Sequence, residues 1–503
     1  MVKIDSFIKN SFLLITSNLT TGILGFIFSI ILSNALKAEG MGLYGLVMPV
    51  YNLFICLICG GITTAVSKVS AEYYAKKQYE NLRKSINTTL VFNLIWGLII
   101  ISLVYLFSQS ICTYIIKDRR TVFALKLTCP AMLFISLTST LKGYFYGILK
   151  VGVPAFIDIF EKSVRILILL SVLKITEATS LTATVTIAYL ALCIGEFISL
   201  IFLFSYYKLD IKKYNNRSLK SEGRGQLIFD VLYISMPLCI NGFLTTILST
   251  TSALIVPRRL MQAGIAYQDS LSLIGRFNSM ATGIAFFPLI IVSSISTLLI
   301  PDISQSLSKK DFIAVEKRIQ WVLRISFVLG MSTLIICMVL GDNLGRMFFK
   351  RDDLGDFIRF SALSAPILFT MVSSIGILNG LGKQNIILRN SIITSITELI
   401  LLSILTGIPS INIYGYGINI FITSTLLLVM NLSVISDYIK LKFNLVNVLI
   451  FILVALLFYD LMKFSFIYIL SNKFIVKNIL LISLGFLMTP CCIIMMRLIE
   501  KRE

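Results

Sequence analysis

Histidine is absent from all 503 residues. Its absence removes Ser-His-Asp and Cys-His nucleophilic catalysis at once. Charge is also scarce: 14% of residues are Asp, Glu, Lys or Arg, where a water-soluble chain carries about 25%. No polar stretch is long enough for a separate water-soluble domain, the largest interruption running from Tyr206 to Gln226. No GxxxxGK[ST] phosphate loop occurs, and no pair of soluble catalytic carboxylates stands out. These absences point away from an enzyme and from a nucleic-acid partner, and toward work done inside or across a bilayer. The nine cysteines, including the pair in "CLIC" at 56–59, lack the polar partners a metal or redox centre needs and read as small apolar packing residues. No cofactor or metal is expected.

What is present is apolar: 57% hydrophobic residues and a mean hydropathy of +0.90. A spanning helix needs about 20 such residues. The expectation is therefore an all-α integral membrane protein with about fourteen transmembrane helices, near 7–33, 42–67, 86–107, 122–146, 153–173, 181–205, 228–256, 272–300, 319–341, 357–381, 386–407, 411–436, 445–463 and 478–496. The first segment is too long for a signal-peptide core and lacks a small-residue cleavage site, so it is expected to be retained. Basic residues set the orientation. With the N-terminus inside, 26 of the 45 Lys and Arg fall in cytoplasmic segments, 16 outside and 3 within helices, which makes both termini cytoplasmic. The net charge of +20 then reflects basic loops facing anionic lipid, the alternative being that part of the excess faces an anionic substrate.

Two stretches about 235 residues apart resemble each other: "IIKDRRTVFALKLTCPAMLFISLTSTLKGYFYGILK" at 115–150 and "FFKRDDLGDFIRFSALSAPILFTMVSSIGILNGLGK" at 348–383. Aligning Pro130 with Pro366 requires small gaps. A repeat offset by six helices relates two lobes in parallel. The expected domains are an N-terminal lobe at 1–205, a basic cytoplasmic linker at 206–227, a second lobe at 228–436, and two further helices with a tail at 437–503. A cleft between six-helix lobes is where a transporter holds its substrate.

The fifth segment contains "FIDIFEKSVRILILL" (156–170), with Asp158, Glu161, Lys162 and Arg165 on one helical stripe. Asp158 to Lys162 and Glu161 to Arg165 are acid-first i,i+4 pairs. An unpaired charge near the bilayer centre costs about 2.5 to 3.5 kcal/mol on insertion scales, so the stripe must be paired, wet or both. It is a candidate cavity lining with Arg165 and Lys162 offered to an anion. The alternative is a self-neutralised ladder packed on a neighbouring helix. Glu398, on a stripe with Thr394 and Asn390, is a second candidate, and Lys142 and Arg276 complete the set. Asn241, Asn379, Asn419 and Asn431 are weaker signals, since Asn commonly bonds across membrane helices as packing glue.

The order of features resembles the polysaccharide-transport branch of the multidrug, oligosaccharidyl-lipid and polysaccharide (MOP) exporter superfamily, a branch related to lipid II flippases. The resemblance rests on "ILGFIFSIILSNALKAEGMGLYGLVMPVY" (23–51), "ITTAVSKVSAE" (62–72), "KDRRTVFALKLTCPAMLFISLTSTLKGYFYG" (117–147), "IFEKSVRI" (159–166) and "STLLIPDISQSLSKKD" (296–311). It implies two six-helix lobes plus two helices, alternating access, and transfer of an undecaprenyl-linked saccharide. The implied cargo is the lipid-linked peptidoglycan precursor of spore cortex synthesis, which places the protein in the cell membrane or the membrane around the forespore. Relatives in this branch carry arginines in the first helix, whereas "GILGFIFSIILSNAL" (22–36) has none. Two rivals stand beside this reading. One is a cation-coupled exporter with Asp158, Glu161 or Glu398 as the ion site, and the other is a non-transporting scaffold for cell-wall synthesis proteins.

Overall fold

The computed structural model describes residues 2–176, 181–213, 222–308, 311–438, 445–468 and 474–500. The chain divides into two compact units, Met1–Ile255 and Val256–Glu503. The first contains α1 (Val2–Cys59), α2 (Ile62–Ala75), α3 (Tyr79–Leu106), α4 (Val122–Gly147), α5 (Gly152–Thr176) and α6 (Leu181–Ile211). The long α7 (Arg224–Gln262) runs from the first unit into the second. The second continues with α8 (Tyr267–Ile274), α9 (Leu289–Ser308), α10 (Phe312–Phe349), α11 (Gly355–Ala362), α12 (Ala365–Gly380), α13 (Gln384–Leu405), α14 (Tyr414–Ile435), α15 (Leu445–Tyr468) and α16 (Phe474–Glu500).

Among the described residues, eight helices are long and apolar enough to cross a membrane, or ten when two bent pairs each count as one span. The protein is an all-α, multi-pass membrane protein. The described residues account for up to ten of the expected fourteen spans as apolar helices. The segments expected at 7–33 and 42–67 lie on two helices of α1 that meet at Lys37, where φ is 58°, and the second of them continues into α2. The fifth segment, α5, carries its charges mid-helix. The linker expected at 206–227 lies partly outside the described residues, but its end is fixed. Glu222 accepts from Tyr73 Oη at 2.9 Å and its amide donates to Asn81 Oδ1 at 3.0 Å. The first half of α7 also packs on the first unit, where Leu227 and Val231 join the core built on Ile62, Leu82, Tyr144 and Tyr207.

The internal repeat is present in the packing, in a register without gaps. Close contacts among α2, α3 and α4 recur among α9, α10 and α12 with every residue 233 positions later. A Cβ on Gly143 would meet the Thr63 carbonyl oxygen and Val66, and one on Gly376 would meet Ser296. Gly147 lies against Ser67 and Ser70, and Gly380 against Ile300 and Ile303. Gly97 faces Leu133, and Gly330 faces Pro366. Both units thus use a small-xxx-small stripe, the device by which membrane helices approach closely where no hydrophobic effect drives them together. The turns match as well: Lys117 and Lys350 are both left-handed (φ 64° and 54°), as are Leu149 and Gly382 (φ 61° and 74°). Pairing Pro130 with Pro366 was the wrong anchor. Pro130 lies inside α4, while Pro366 starts α12 after a 47° bend, where its missing N–H costs nothing.

Candidate functional site

The charges of α5 are neutralised by three helices rather than by α5 alone. Arg165 Nε donates to Glu161 Oε1 at 2.7 Å, one turn back, and Arg165 Nη2 donates to Glu196 Oε1 of α6 at 3.0 Å. Glu161 and Arg165 are only 3% and 9% exposed. Around this core lies a more open rim, each side chain about a quarter to a third exposed: Lys142 of α4 pairs with Asp158 at 2.7 Å, and Lys162 with Glu161 at 3.1 Å. The result is three carboxylates and three cations in a closed set.

The expected Glu161–Arg165 pair is therefore present, whereas Asp158 and Lys162 turn apart to other partners. Lys142 reaches Asp158 directly from the facing helix, which leaves Lys162 for Glu161. Arg165, expected to be offered to an anion, is instead turned inward and shared by two carboxylates. The cations with surface to offer are Lys142 and Lys162.

Close helix approach makes the core possible. A Cβ on Gly195 would sit 2.6 Å from Glu161 Oε1, so a larger residue there would displace the Glu161 carboxylate from its present position. Tyr44 and Tyr51 of α1 lie within electrostatic reach of Arg165. Tyr44 stacks on Tyr189 of α6 with centroids 4.8 Å apart, and Tyr189 Oη donates to the Tyr44 carbonyl at 2.8 Å. Glu196 was not singled out from the sequence. Its segment, "LALCIGEFISLIF", carries a single carboxylate in an apolar run after a glycine, a signal that gains meaning only opposite Arg165.

The two remaining candidates belong to the second unit. Arg276, on a π-helical turn at Gly275–Ala281, pairs with Asp353 at 3.0 Å and lies over the Phe357 ring. Glu398 of α13 is partly buried and has no ion-pair partner among the described residues. Beside it on α13, Asn390 Nδ2 donates to Asn431 Oδ1 at 3.0 Å, and Asn431 Nδ2 donates to Ser374 Oγ at 2.9 Å. These amides are packing glue, as the sequence allows for Asn431. Among the described residues, no group of His, Cys, Asp and Glu could hold a metal ion.

Helix order and packing define the class: a multi-pass helical membrane protein with the MOP-superfamily fold. The structure of a lipid II flippase MurJ in an inward closed conformation aligns with a TM-score of 0.70 at 16% identity, covering 97% of this chain and all of that one. An inward-facing MATE-family multidrug transporter of the same superfamily aligns at 0.65 and 12% identity, covering 85% of this chain and 98% of that one. Residues 7–307 match the family described as Polysaccharide biosynthesis protein, and the chain belongs to that family. Among curated relatives, stage V sporulation protein B of Bacillus subtilis (strain 168) is 25% identical over 86% of this chain and 84% of its own. Lipid II flippase MurJ of the same organism is 22% identical over 78% of this chain and 76% of its own. The resemblance read from the sequence is borne out.

Proposed function

We propose that this protein is a flippase that carries an undecaprenyl-linked saccharide across the cell membrane by alternating access, the lipid-linked peptidoglycan precursor being the favoured cargo. The observation that carries the reading is that the charge nest occurs in one of two units that repeat the same close glycine contacts. At the positions 233 residues later the second unit has Ile375, Ser391, Thr394, Ser395 and Val429 where the first has Lys142, Asp158, Glu161, Lys162 and Glu196, and it keeps a single charge, Glu398, at the position of Arg165. The fold does not need these charges, and a membrane protein retains such groups where they serve a substrate or an ion. Lys142 and Lys162 replace part of the water around the anionic headgroup, and Glu161, Arg165 and Glu196 hold them in place. The lobes at 1–205 and 228–436 are the moving parts, linked at 206–227, with 437–503 appended and both termini cytoplasmic. Differential affinity of the headgroup for the two states drives the exchange.

The test is flipping of labelled lipid-linked peptidoglycan precursor in vesicles, comparing wild type with Lys142→Met/Lys162→Met. Transfer by wild type, reduced at least about tenfold in the variant, supports the reading, since about 1.4 kcal/mol of lost headgroup affinity is tenfold. Equal transfer by both rules out the rim, and no transfer by a folded wild type rules out the cargo. A second reading, a cation-coupled exporter, is favoured by the Glu398 carboxylate, which has no ion-pair partner among the described residues, and predicts substrate movement that requires Na⁺ or a proton gradient.

A further inference from the structure

In α15 the sequence "LVNVLIFILVALLFYDLMKFSFIY" places Asp460 and Lys463 in an otherwise apolar helix. Asp460 lies eight residues before the end at Tyr468, about 12 Å along the axis. The helix has two faces. Met462 is fully buried, lying against Gly485 of α16. The opposite face exposes Leu456, Asp460, Lys463 and Ile467, flanked by Leu457 and Phe464.

The first four residues are spaced by four, three and four, the heptad seam by which two helices pack side by side. A polar pair at the middle of such a seam costs stability and fixes register and partner. Neither Asp460 nor Lys463 has an ion-pair or hydrogen-bond partner among the described residues. Facing hydrocarbon, each would carry the cost of an unpaired charge in the bilayer, which lipid tails cannot offset.

We infer that a second copy of this chain covers this face, forming a two-fold dimer along α15. A two-fold axis along the membrane normal sets two α15 helices parallel at equal depth, and the same patch serves both copies. Asp460 of each copy then meets Lys463 of the other, while Leu456 and Ile467 close the seam on either side. The acid and the base on one face complement themselves, which a patch shaped for a different helix has no reason to do. The inference is independent of what is transported.

The experiment counts subunits by photobleaching of fluorophore-labelled full-length protein in phosphatidylethanolamine/phosphatidylglycerol vesicles at low protein-to-lipid ratio. Wild type should show two-step bleaching. Asp460→Lys and Lys463→Asp, each placing like charges in contact, should each lower the dimer fraction at least about tenfold, the lost pair and the new repulsion acting together. Mixing the two variants should restore a dimer, because the base introduced at position 460 of one copy then meets the acid introduced at position 463 of the other. Detergent-phase monodispersity of each variant separates lost association from lost folding. A monomeric wild type, single variants that dimerise normally, or folded variants that fail to rescue one another would each overturn the proposal, and the seam would then face lipid or another membrane protein.

Discussion

The two units solve one packing problem twice and fill the solution with different chemistry. In the first, Asn93 of α3 donates to Thr140 of α4 at 2.8 Å; 233 positions on, Ser326 of α10 bonds Ser373 of α12. In the first, Asp118 holds Arg120 in a forked ion pair; in the second, Arg351 holds Asp353 the same way, with acid and base exchanged. Deeper down the exchange is between charge and neutrality. Where the second unit bonds Ser374, Asn390 and Asn431 to one another, the first has Leu141, Ile157 and Ile198. Where the first gathers six charges, the second keeps one, Glu398, at the position of Arg165. The close approach of glycine stripes is what the architecture demands, and the polar filling is free to vary. The nest is therefore a property of the first unit rather than of the fold.

The sharpest way to break this comparison is to mutate matched positions. Arg165→Met leaves Glu196 without its counter-charge and facing Glu161, and should cost about 3 to 5 kcal/mol, read as thermal unfolding in detergent. Glu398→Gln, at the matching position, should change stability by less than about 1 kcal/mol. Equal losses would show the nest to be ordinary packing.

The shared stripe should fail in both units. Gly147→Ala puts a Cβ 2.5 Å from the Ser67 carbonyl oxygen, and Gly380→Ala puts one 3.0 Å from the Ile303 Cβ. Overpacking of this kind costs about 1 to 3 kcal/mol, with the larger loss expected at Gly147, and chemical denaturation of the two variants ranks them. At the nest, Gly195→Ala should loosen Arg165 from Glu161 and cost about 1 to 2 kcal/mol, offset when Glu161 is shortened to Asp in the same chain; a double-mutant cycle reads the coupling.

The smallest effect belongs to the mirrored outer pairs. Arg351 and Arg276 hold the Asp353 carboxyl down to about 2. A depressed carboxylate stabilises the fold above its unfolded value of about 3.9, and that contribution is lost as pH falls from about 4 toward 2. Solvent screening keeps it under about 1 kcal/mol. Asp353→Asn should therefore lower stability slightly at pH 7 and erase the difference near pH 2, a convergence that unfolding midpoints at the two pH values would detect.

Much of this molecule was legible because a bilayer punishes mixed patterns. Long apolar runs and four charges on one stripe leave few readings, and the α5 stripe has to be paired or wet whatever its partners are. Its partners were not legible. Glu196 lies 31 residues from Arg165 and Lys142 lies 16 before Asp158, so neither pair has a local spacing. The repeat is legible at its most similar stretch, but the prolines that stand out there do not carry its register. The glycines that carry the register, Gly143 with Gly147 and Gly376 with Gly380, are revealed only by what their missing side chains would strike.

The sequence by itself determined that the chain lives in a membrane, is helical, is built on a repeat and carries charge on α5. Those conclusions follow from hydrophobicity and periodicity, which act residue by residue along one helix. Only the tertiary structure decided which charges meet, which cation turns inward and which face of α15 is left bare. Those outcomes depend on how closely neighbouring helices approach, a distance set by single glycines far apart in the chain.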